Sequence, residues 1–380
     1  MINKKYLYLS SLFLFKTSVG AILLLVGWDI IGVSSNSAFN VALITGLAFL
    51  PAAFAKPLYK KFGHLSEQSV AATSLIGSSL IVIAELLFIS SGSDKIIIFG
   101  AIHFTLWTLI FLIETFLERW FVNISGELSY EETSKLSGLS MALIQVGIIL
   151  GPIAIWATKL YSEKAPYLFT SCILAISAIP ALLDKNKLSS IANTSNNNLS
   201  SNENKNNGNL FILSFALVWP TVATFNMVIP LLIRNSFKQS ISSAVALEVC
   251  LAAGSACIGF IASAYKKNII IPLYSILGIL LSTIALIGFT SSLTVLAISI
   301  FCIGLFYGSL RISARAALAK NFSGHYAGHI IATSNGLSAP LVVLYLLTCY
   351  YEYSTFQSIM FCGLSFLTSG LMFYQLTRRK

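Results

Sequence analysis

The sequence has few charged residues. Only 10% of its 380 residues are Asp, Glu, Lys or Arg, whereas soluble domains carry about 25%. The apolar fraction is 56%, so the chain has too few polar side chains to build a surface that faces water. This composition argues against a soluble enzyme and predicts a membrane protein.

Several catalytic and metal-binding motifs are missing. No GxxxxGKS, GxxxxGKT, HExxH or GxSxG pattern occurs, and the six cysteines form no CxxC pair. We therefore expect no enzyme activity, cofactor or metal site. The rival from another class is a membrane-embedded lipid enzyme or a non-transporting sensor. The net charge of +10 comes from short basic clusters between apolar runs, which argues against a nucleic-acid-binding face.

Long apolar segments fill the chain. A bilayer core of about 30 Å requires about 20 apolar residues in a helix, and twelve such segments can be placed. A β-barrel would instead show alternating segments of about ten residues. The fold class is therefore an all-α polytopic membrane protein. The predicted spans are 6–31, 38–57, 69–91, 94–118, 133–159, 166–184, 210–233, 241–265, 268–289, 292–316, 325–350 and 354–376.

The basic residues lie unevenly between the segments. If the N-terminus is cytoplasmic, 18 of the 24 Lys and Arg residues fall on the cytoplasmic side. This asymmetry follows the positive-inside rule. It predicts an even number of spans with both termini in the cytoplasm.

One polar, low-complexity stretch divides the chain. Residues 185–209 are rich in Asn and Ser, which is typical of a flexible linker. The linker separates an N-terminal six-helix half, residues 1–184, from a C-terminal six-helix half, residues 210–380. Transporters built from two related repeats have this layout, with a binding site between the repeats.

Helix 5 carries a pattern of glycines with a proline. Missing side chains let helices approach closely, and proline removes a backbone donor. Gly and Pro are also common in membrane helices generally, so packing in any polytopic protein is the alternative explanation. The positions are Gly138, Gly147, Gly151 and Pro152.

This pattern resembles the helix 5 signature of the proton-coupled exporters of the major facilitator superfamily. Where that signature has a Gly pair after the proline, this sequence has Ile155 and Trp156. A second family motif follows helix 2, and of it Lys60, Lys61 and Gly63 are present. The Asp of that motif is missing.

The resemblance implies two six-helix halves that rock about a cavity lined by helices 1, 4, 7 and 10. It also implies export of a drug, macrolide or siderophore-like molecule in exchange for protons. Uptake of a nutrient or metal chelate is the alternative. We expect the protein to be a monomer in the bacterial cytoplasmic membrane, with the lipid bilayer, a small-molecule substrate and protons as its partners.

Lys16 lies about ten residues into helix 1. A charge at the bilayer centre costs about 2.5–3.5 kcal/mol, so it requires a partner, water or a function. Lys16 shares a helix face with Gly20 and Gly27, which suits a cavity wall. It either attracts an anionic substrate, pairs with a carboxylate, or extends along apolar surface toward the cytoplasm.

Helix 4 concentrates polar and aromatic residues on one face. His103, Trp107, Glu114 and Glu118 fall within an arc of about 60°. His103 either titrates or forms a hydrogen bond to a neighbouring helix, and Glu114 is a candidate proton carrier. Glu118 is interpreted as the solvated end of the helix.

Helix 10 mirrors this face with Tyr307, Arg311 and Arg315. Glu114 and Arg311 lie at similar depth, so we expect them to pair across the halves, unless Arg311 only marks the cytoplasmic boundary. Three further candidates for the substrate or proton pathway are Glu85, Asn226 and Glu248.

Overall fold

The described part of the chain is almost entirely helical. The computed structural model describes residues 3–31, 48–89, 96–184, 208–217, 221, 225, 229, 232–233, 237–239, 241–264, 272–288, 292–350 and 355–378. These residues contain no β-strand. Most of the predicted linker and Asn226 lie outside them.

The described helices of the first half of the chain are α1 Lys4–Ile31, α2 Ala55–Phe62, α3 Glu67–Ile89, α4 Ile96–Gly126, α5 Tyr130–Lys159 and α6 Ala165–Leu183. A 3-10 turn at Leu50–Phe54 leads into α2. Helices α1 and α3 to α6 overlap predicted spans, whereas residues 38–47 of the second predicted span lie outside the described residues.

The described helices of the second half are α7 Gly208–Leu217, α8 Ile241–Ala264, α9 Pro272–Gly288, α10 Leu293–Asn321, α11 Gly324–Tyr350 and α12 Thr355–Arg378. Helices α8 to α12 overlap predicted spans, whereas most of the predicted span 210–233 beyond Leu217 lies outside the described residues. Within the described part of both halves, eight helices are long and apolar enough to cross a membrane.

Local sequence signals set two of the helix starts. The Ser129 side chain accepts a hydrogen bond from the Glu132 backbone N–H, and the Glu132 carboxylate accepts one from the Ser129 backbone N–H. This capping box satisfies two N–H groups that the first turn of α5 leaves unpaired. Ser292 is the N-cap of α10, and its side chain accepts a hydrogen bond from the Val295 N–H at 3.4 Å.

The predicted end of helix 4 was wrong. The prediction placed it at residue 118, but α4 continues to Gly126. Arg119 is buried inside the helix, where its guanidinium donates to the Gly63 carbonyl at 2.6 Å and lies 3.5 Å from the Glu67 carboxylate. A prediction from hydropathy ends a membrane helix at a charged residue such as Arg119. The partners that offset the burial of Arg119, Gly63 and Glu67, are distant in sequence, so the prediction could not include them.

The helix 5 glycines lie where helices pack closely. A Cβ added at Gly147 would lie 2.9 Å from the Phe13 carbonyl of α1, and one added at Gly138 would lie 2.9 Å from the Gly259 carbonyl of α8. The two glycines are nine residues apart and so lie on opposite faces of α5, one packed on α1 within its own half and the other on α8 of the other half. The helices approach closely at these glycines, as their missing side chains predict.

Gly20 differs from its predicted role. The prediction placed it on a cavity wall beside Lys16, but an added Cβ would lie 2.5 Å from the Ile148 carbonyl of α5. Gly20 therefore belongs to the contact between α1 and α5. The surroundings of Gly27, the other predicted member of that face, lie outside the described part of the structure.

Candidate functional site

A cavity lies between the two halves. Its walls come from α1, α4, α5, α7, α10, α11 and α12. Its volume is about 50 Å³, which is room for roughly three or four water molecules. The polar lining residues are Lys16, Glu114, Glu118, Tyr307, Arg311, Arg315, Asn335 and Ser369, and the aromatic ones are Phe15, Phe215, Phe366 and Phe373.

Lys16 and Glu114 form an ion pair on the cavity wall. The Lys16 ammonium of α1 donates to a carboxylate oxygen of Glu114 in α4. Their side chains are only 6% and 13% exposed. Of the roles predicted for Lys16, pairing with a carboxylate is therefore the one found in this structure.

Arg315 of α10 links the two halves by pairing with Glu118, which lies one helical turn beyond Glu114 in α4. Its guanidinium Nε lies 2.9 Å from the Glu118 carboxylate. It also donates to the Tyr8 hydroxyl at 2.8 Å and to the Ser140 hydroxyl at 3.0 Å, and it lies 4.2 Å from the centre of the Phe121 ring. One side chain of α10 thus binds α1, α4 and α5 of the other half.

These contacts correct two predictions. Glu114 pairs with Lys16 rather than with Arg311, and the ion pair that crosses the halves is Glu118–Arg315. Glu118 is consequently not a solvated helix end, since its side chain is 16% exposed. The signal that could have found this pair is the buried position of Arg315, because a buried cation requires a carboxylate at the same depth.

Arg311 lies on the aromatic side of the cavity. Its Nη1 donates to the Tyr307 hydroxyl at 3.4 Å, and the Tyr307 ring packs edge-on against Phe366 with centroids 5.3 Å apart. With Arg311 included, the lining of the cavity contains three cationic side chains and two carboxylates. The lining carries a formal charge of +1.

Glu85, His103 and Trp107 come together away from the cavity. His103 Nδ1 lies 3.1 Å from the Glu85 carboxylate of α3, and the Trp107 indole N–H donates to His103 Nε2 at 2.8 Å. The predicted alternative of a hydrogen bond from His103 to a neighbouring helix is thus present. The Glu248 side chain of α8, by contrast, is exposed and is not among the residues that line the cavity.

The last turn of α2 makes a second contact between the halves. We call this end of the bundle, where the α2–α3, α4–α5 and α10–α11 loops lie, the basic end. The Tyr59 hydroxyl of α2 donates to the His325 carbonyl of α11 at 2.8 Å. Burial raises the pKa of Tyr59 above its ordinary value of 10.0, so the hydroxyl stays a neutral donor.

Tyr59 and Arg119 fix the α2–α3 loop although its family Asp is missing. A Cβ at Gly328 of α11 would lie 2.7 Å from the Tyr59 ring, so only glycine leaves room for the tyrosine. Gly63 accepts from Arg119 through its carbonyl, whereas Lys60 and Lys61 are exposed. The prediction from sequence did not include Tyr59, whose position in an apolar segment gives no distinctive signal.

Lys320 closes the same end from the other half. Its ammonium group donates to the carbonyls of Ser125 and Leu128 at the end of α4. Together with Arg315 and Tyr59, it holds the halves in contact at the basic end. In this structure the cavity is therefore closed toward that end.

Solved transporter structures share this fold. The human organic anion transporter MFSD10 superposes with a TM-score of 0.72 at 14% identity, over 98% of this chain and 100% of that one. An outward-facing bacterial homologue of the iron transporter ferroportin, with soaked iron, gives 0.75 at 10% identity, over 99% and 100%. The fucose:proton symporter FucP of E. coli gives 0.70 at 13% identity, over 98% of each chain.

The sequence itself matches a family model over most of its length. Comparison with curated protein sequences found no significant match. The model of the Major Facilitator Superfamily, however, matches residues 8–344. This match agrees with the all-helical fold and with the cavity between two halves, and the chain belongs to the major facilitator superfamily of membrane transporters.

Proposed function

We propose that this protein exports a small organic molecule across the bacterial cytoplasmic membrane in exchange for protons. The observation that carries the proposal is the Lys16–Glu114 ion pair on the wall of the cavity between the halves. A carboxylate at this place can bind either a proton or a polar group of a substrate. Alternating occupancy of one carboxylate is the simplest basis for exchange.

The proton acts through the charge on Glu114. Protonation removes the negative charge, so Lys16 loses its partner and the charge of the cavity becomes more positive by one unit. A substrate that donates hydrogen bonds to the carboxylate is thereby released. One charge crossing about 100 mV supplies about 2.3 kcal/mol, enough for roughly a fiftyfold concentration gradient.

The helix 5 glycines support the export branch. Gly138, Gly147 and Gly151 match the exporter signature and lie where α5 packs closely on α1 and α8. The Lys and Arg asymmetry supports placing the basic end and both termini in the cytoplasm. In that orientation this structure is closed toward the cytoplasm.

A second candidate is the coupled uptake of an organic anion with a proton. The lining favours it, because three cations face two carboxylates. Protonation of Glu114 would release Lys16 to bind an anionic group, so that proton and anion bind together. The human transporter MFSD10, which shares the fold, is an organic anion transporter.

Everted membrane vesicles distinguish the two. We expect fluorescent cationic and neutral compounds to accumulate in energised everted vesicles that contain the wild-type protein, and this accumulation to fall to background in Glu114→Gln. Lys164→Gln, an exposed charge in the loop before α6, is the control and should leave accumulation unchanged. If no compound accumulates in everted vesicles, and an anion is instead taken up into right-side-out vesicles at acid external pH, the export proposal is wrong and the uptake proposal takes its place.

A further inference from the structure

A second buried polar cluster lies outside the cavity. The side chains of Glu85 and His103 are each 2% exposed, and Trp107 is 6% exposed. None of the three lines the cavity. Their hydrogen bonds link α3 to α4 within the N-terminal half.

The hydrogen bonds determine where the imidazole carries its proton. An indole N–H is a donor only, so the His103 Nε2 that it contacts at 2.8 Å must accept. A neutral imidazole then has its proton on Nδ1, and this N–H donates to the Glu85 carboxylate 3.1 Å away. Trp107 therefore holds His103 in one neutral tautomer.

A neutral ring does not balance the charge of the Glu85 carboxylate. Among the described residues, His103 is the one basic side chain within 4.0 Å of this carboxylate. An ionised carboxylate in an apolar interior costs several kcal/mol unless it is paired, and a proton removes that cost. Because Trp107 occupies Nε2, an added proton binds to Glu85 while the Nδ1–H bond persists.

The neighbouring helices add few charges at this depth. α3 packs against α4 and α6, and the corresponding end of α6 has Tyr167, which is buried, and Glu163 and Lys164, which are exposed. Asp94 and Lys95 lie outside the described residues.

The cavity carboxylate lies well separated on the same helix. Glu114 is eleven residues from His103 along α4, which is about 16 Å at 1.5 Å per residue, and it is already paired with Lys16. The Glu85 carboxylate of α3, held by His103, and the Glu114 carboxylate of α4 are therefore distinct sites.

We propose that Glu85 is a second proton-binding site, separate from the cavity, with His103 and Trp107 as its positioning residues. Its part in transport rests on the proposed proton coupling. The binding of the proton itself depends neither on the substrate nor on the direction of transport. The site lies toward the end of the bundle opposite the basic end, on the side from which protons enter in the proposed orientation.

Infrared difference spectroscopy on the purified protein measures this proton directly. Between alkaline and acid pH, we expect a C=O stretching band of a buried carboxyl group in the wild type and in Glu114→Gln. In the Glu114→Gln background, where Glu114 contributes no carboxyl band of its own, the band should be missing once Glu85→Gln is added. Glu131→Gln, an exposed residue paired with Lys135, is the control and should retain it. Persistence of the full band in the double variant of Glu85→Gln and Glu114→Gln would overturn the assignment.

A second variant tests the tautomer and remains informative if Glu85→Gln fails to fold. Trp107→Phe keeps an aromatic ring but removes the N–H, which frees Nε2 to take the proton. We expect the carboxyl band to weaken strongly while the carboxylate band persists at acid pH. An unchanged carboxyl band in this variant would contradict the positioning role.

Proteoliposomes test the link to transport. With an imposed pH gradient, Glu85→Gln should lose proton-driven accumulation but keep the exchange of substrate across the membrane. If this variant keeps the wild-type coupling of transport to the pH gradient, Glu85 has no part in the transport cycle. A failure of the export proposal alone would leave the infrared band intact, so the two failures are distinguishable.

Discussion

At the scale of single residues, the site is organised by the partners of its charges. Each carboxylate that lines the cavity has a cation, Glu114 with Lys16 and Glu118 with Arg315. The first pair lies within one half and the second crosses between halves. Changing the charge of Glu114 therefore alters the cavity, whereas changing Glu118 alters the contact that closes it.

The Lys16–Glu114 pair predicts a non-additive mutant cycle. Removing one partner of a buried ion pair typically costs about 3–5 kcal/mol, because the other charge stays buried alone, whereas removing both costs little. We therefore expect Lys16→Met and Glu114→Gln each to lower the melting temperature of the purified protein. The double variant should regain most of that loss.

The melting temperatures are measured by thermal unfolding in one detergent, with near-ultraviolet circular dichroism as the signal. Lys61→Gln serves as the control because that side chain is exposed. Additive losses in the double variant would show that the two side chains act independently.

At the scale of the helices, α5 packs on α1 within the N-terminal half and on α8 of the other half. A Cβ at Gly151 would overlap the backbone of α1 at Thr17 and Ala21, whereas one at Gly126 meets nothing within 4 Å. Overpacking of this kind costs about 1–3 kcal/mol. The two glycines thus form a matched pair for a packing test.

Alanine substitution should separate them. We expect Gly151→Ala to lower the melting temperature and to reduce transport, and Gly126→Ala to leave transport at the wild-type level. Melting in detergent and accumulation in everted vesicles measure the two effects. Equal behaviour of the two variants would mean that α1 and α5 do not pack as closely as the structure indicates.

The helices themselves were largely predictable from the sequence, because a bilayer-spanning helix is a property of a continuous apolar run. The end of α4 was not, since Arg119 is stabilised by Gly63 and Glu67, which lie far away in sequence. The partner of Glu114 was missed for a related reason. Sequence gives the depth of a charge along its own helix, but not which neighbouring helix it faces.

At the scale of the whole molecule, the two halves meet at the basic end and enclose the cavity between them. Arg315, Tyr59 and Lys320 each make hydrogen bonds across this end. A cavity of about 50 Å³ is much smaller than the roughly 300–1,000 Å³ of typical ligand sites. Binding of an organic molecule therefore requires the halves to move apart.

The most direct test is the accessibility of a cavity residue from each side of the membrane. Ser369 lines the cavity and is 3% exposed, so Ser369→Cys is introduced after the six native cysteines are replaced by alanine. Ser177→Cys, buried within the N-terminal half, is the unreactive control. A membrane-impermeant maleimide is applied to right-side-out and to everted vesicles at acid and at alkaline pH. Alternating access predicts that Ser369→Cys reacts from both sides and that pH shifts the ratio of the two rates, whereas reaction from one side only, at every pH, would contradict a proton-coupled transporter.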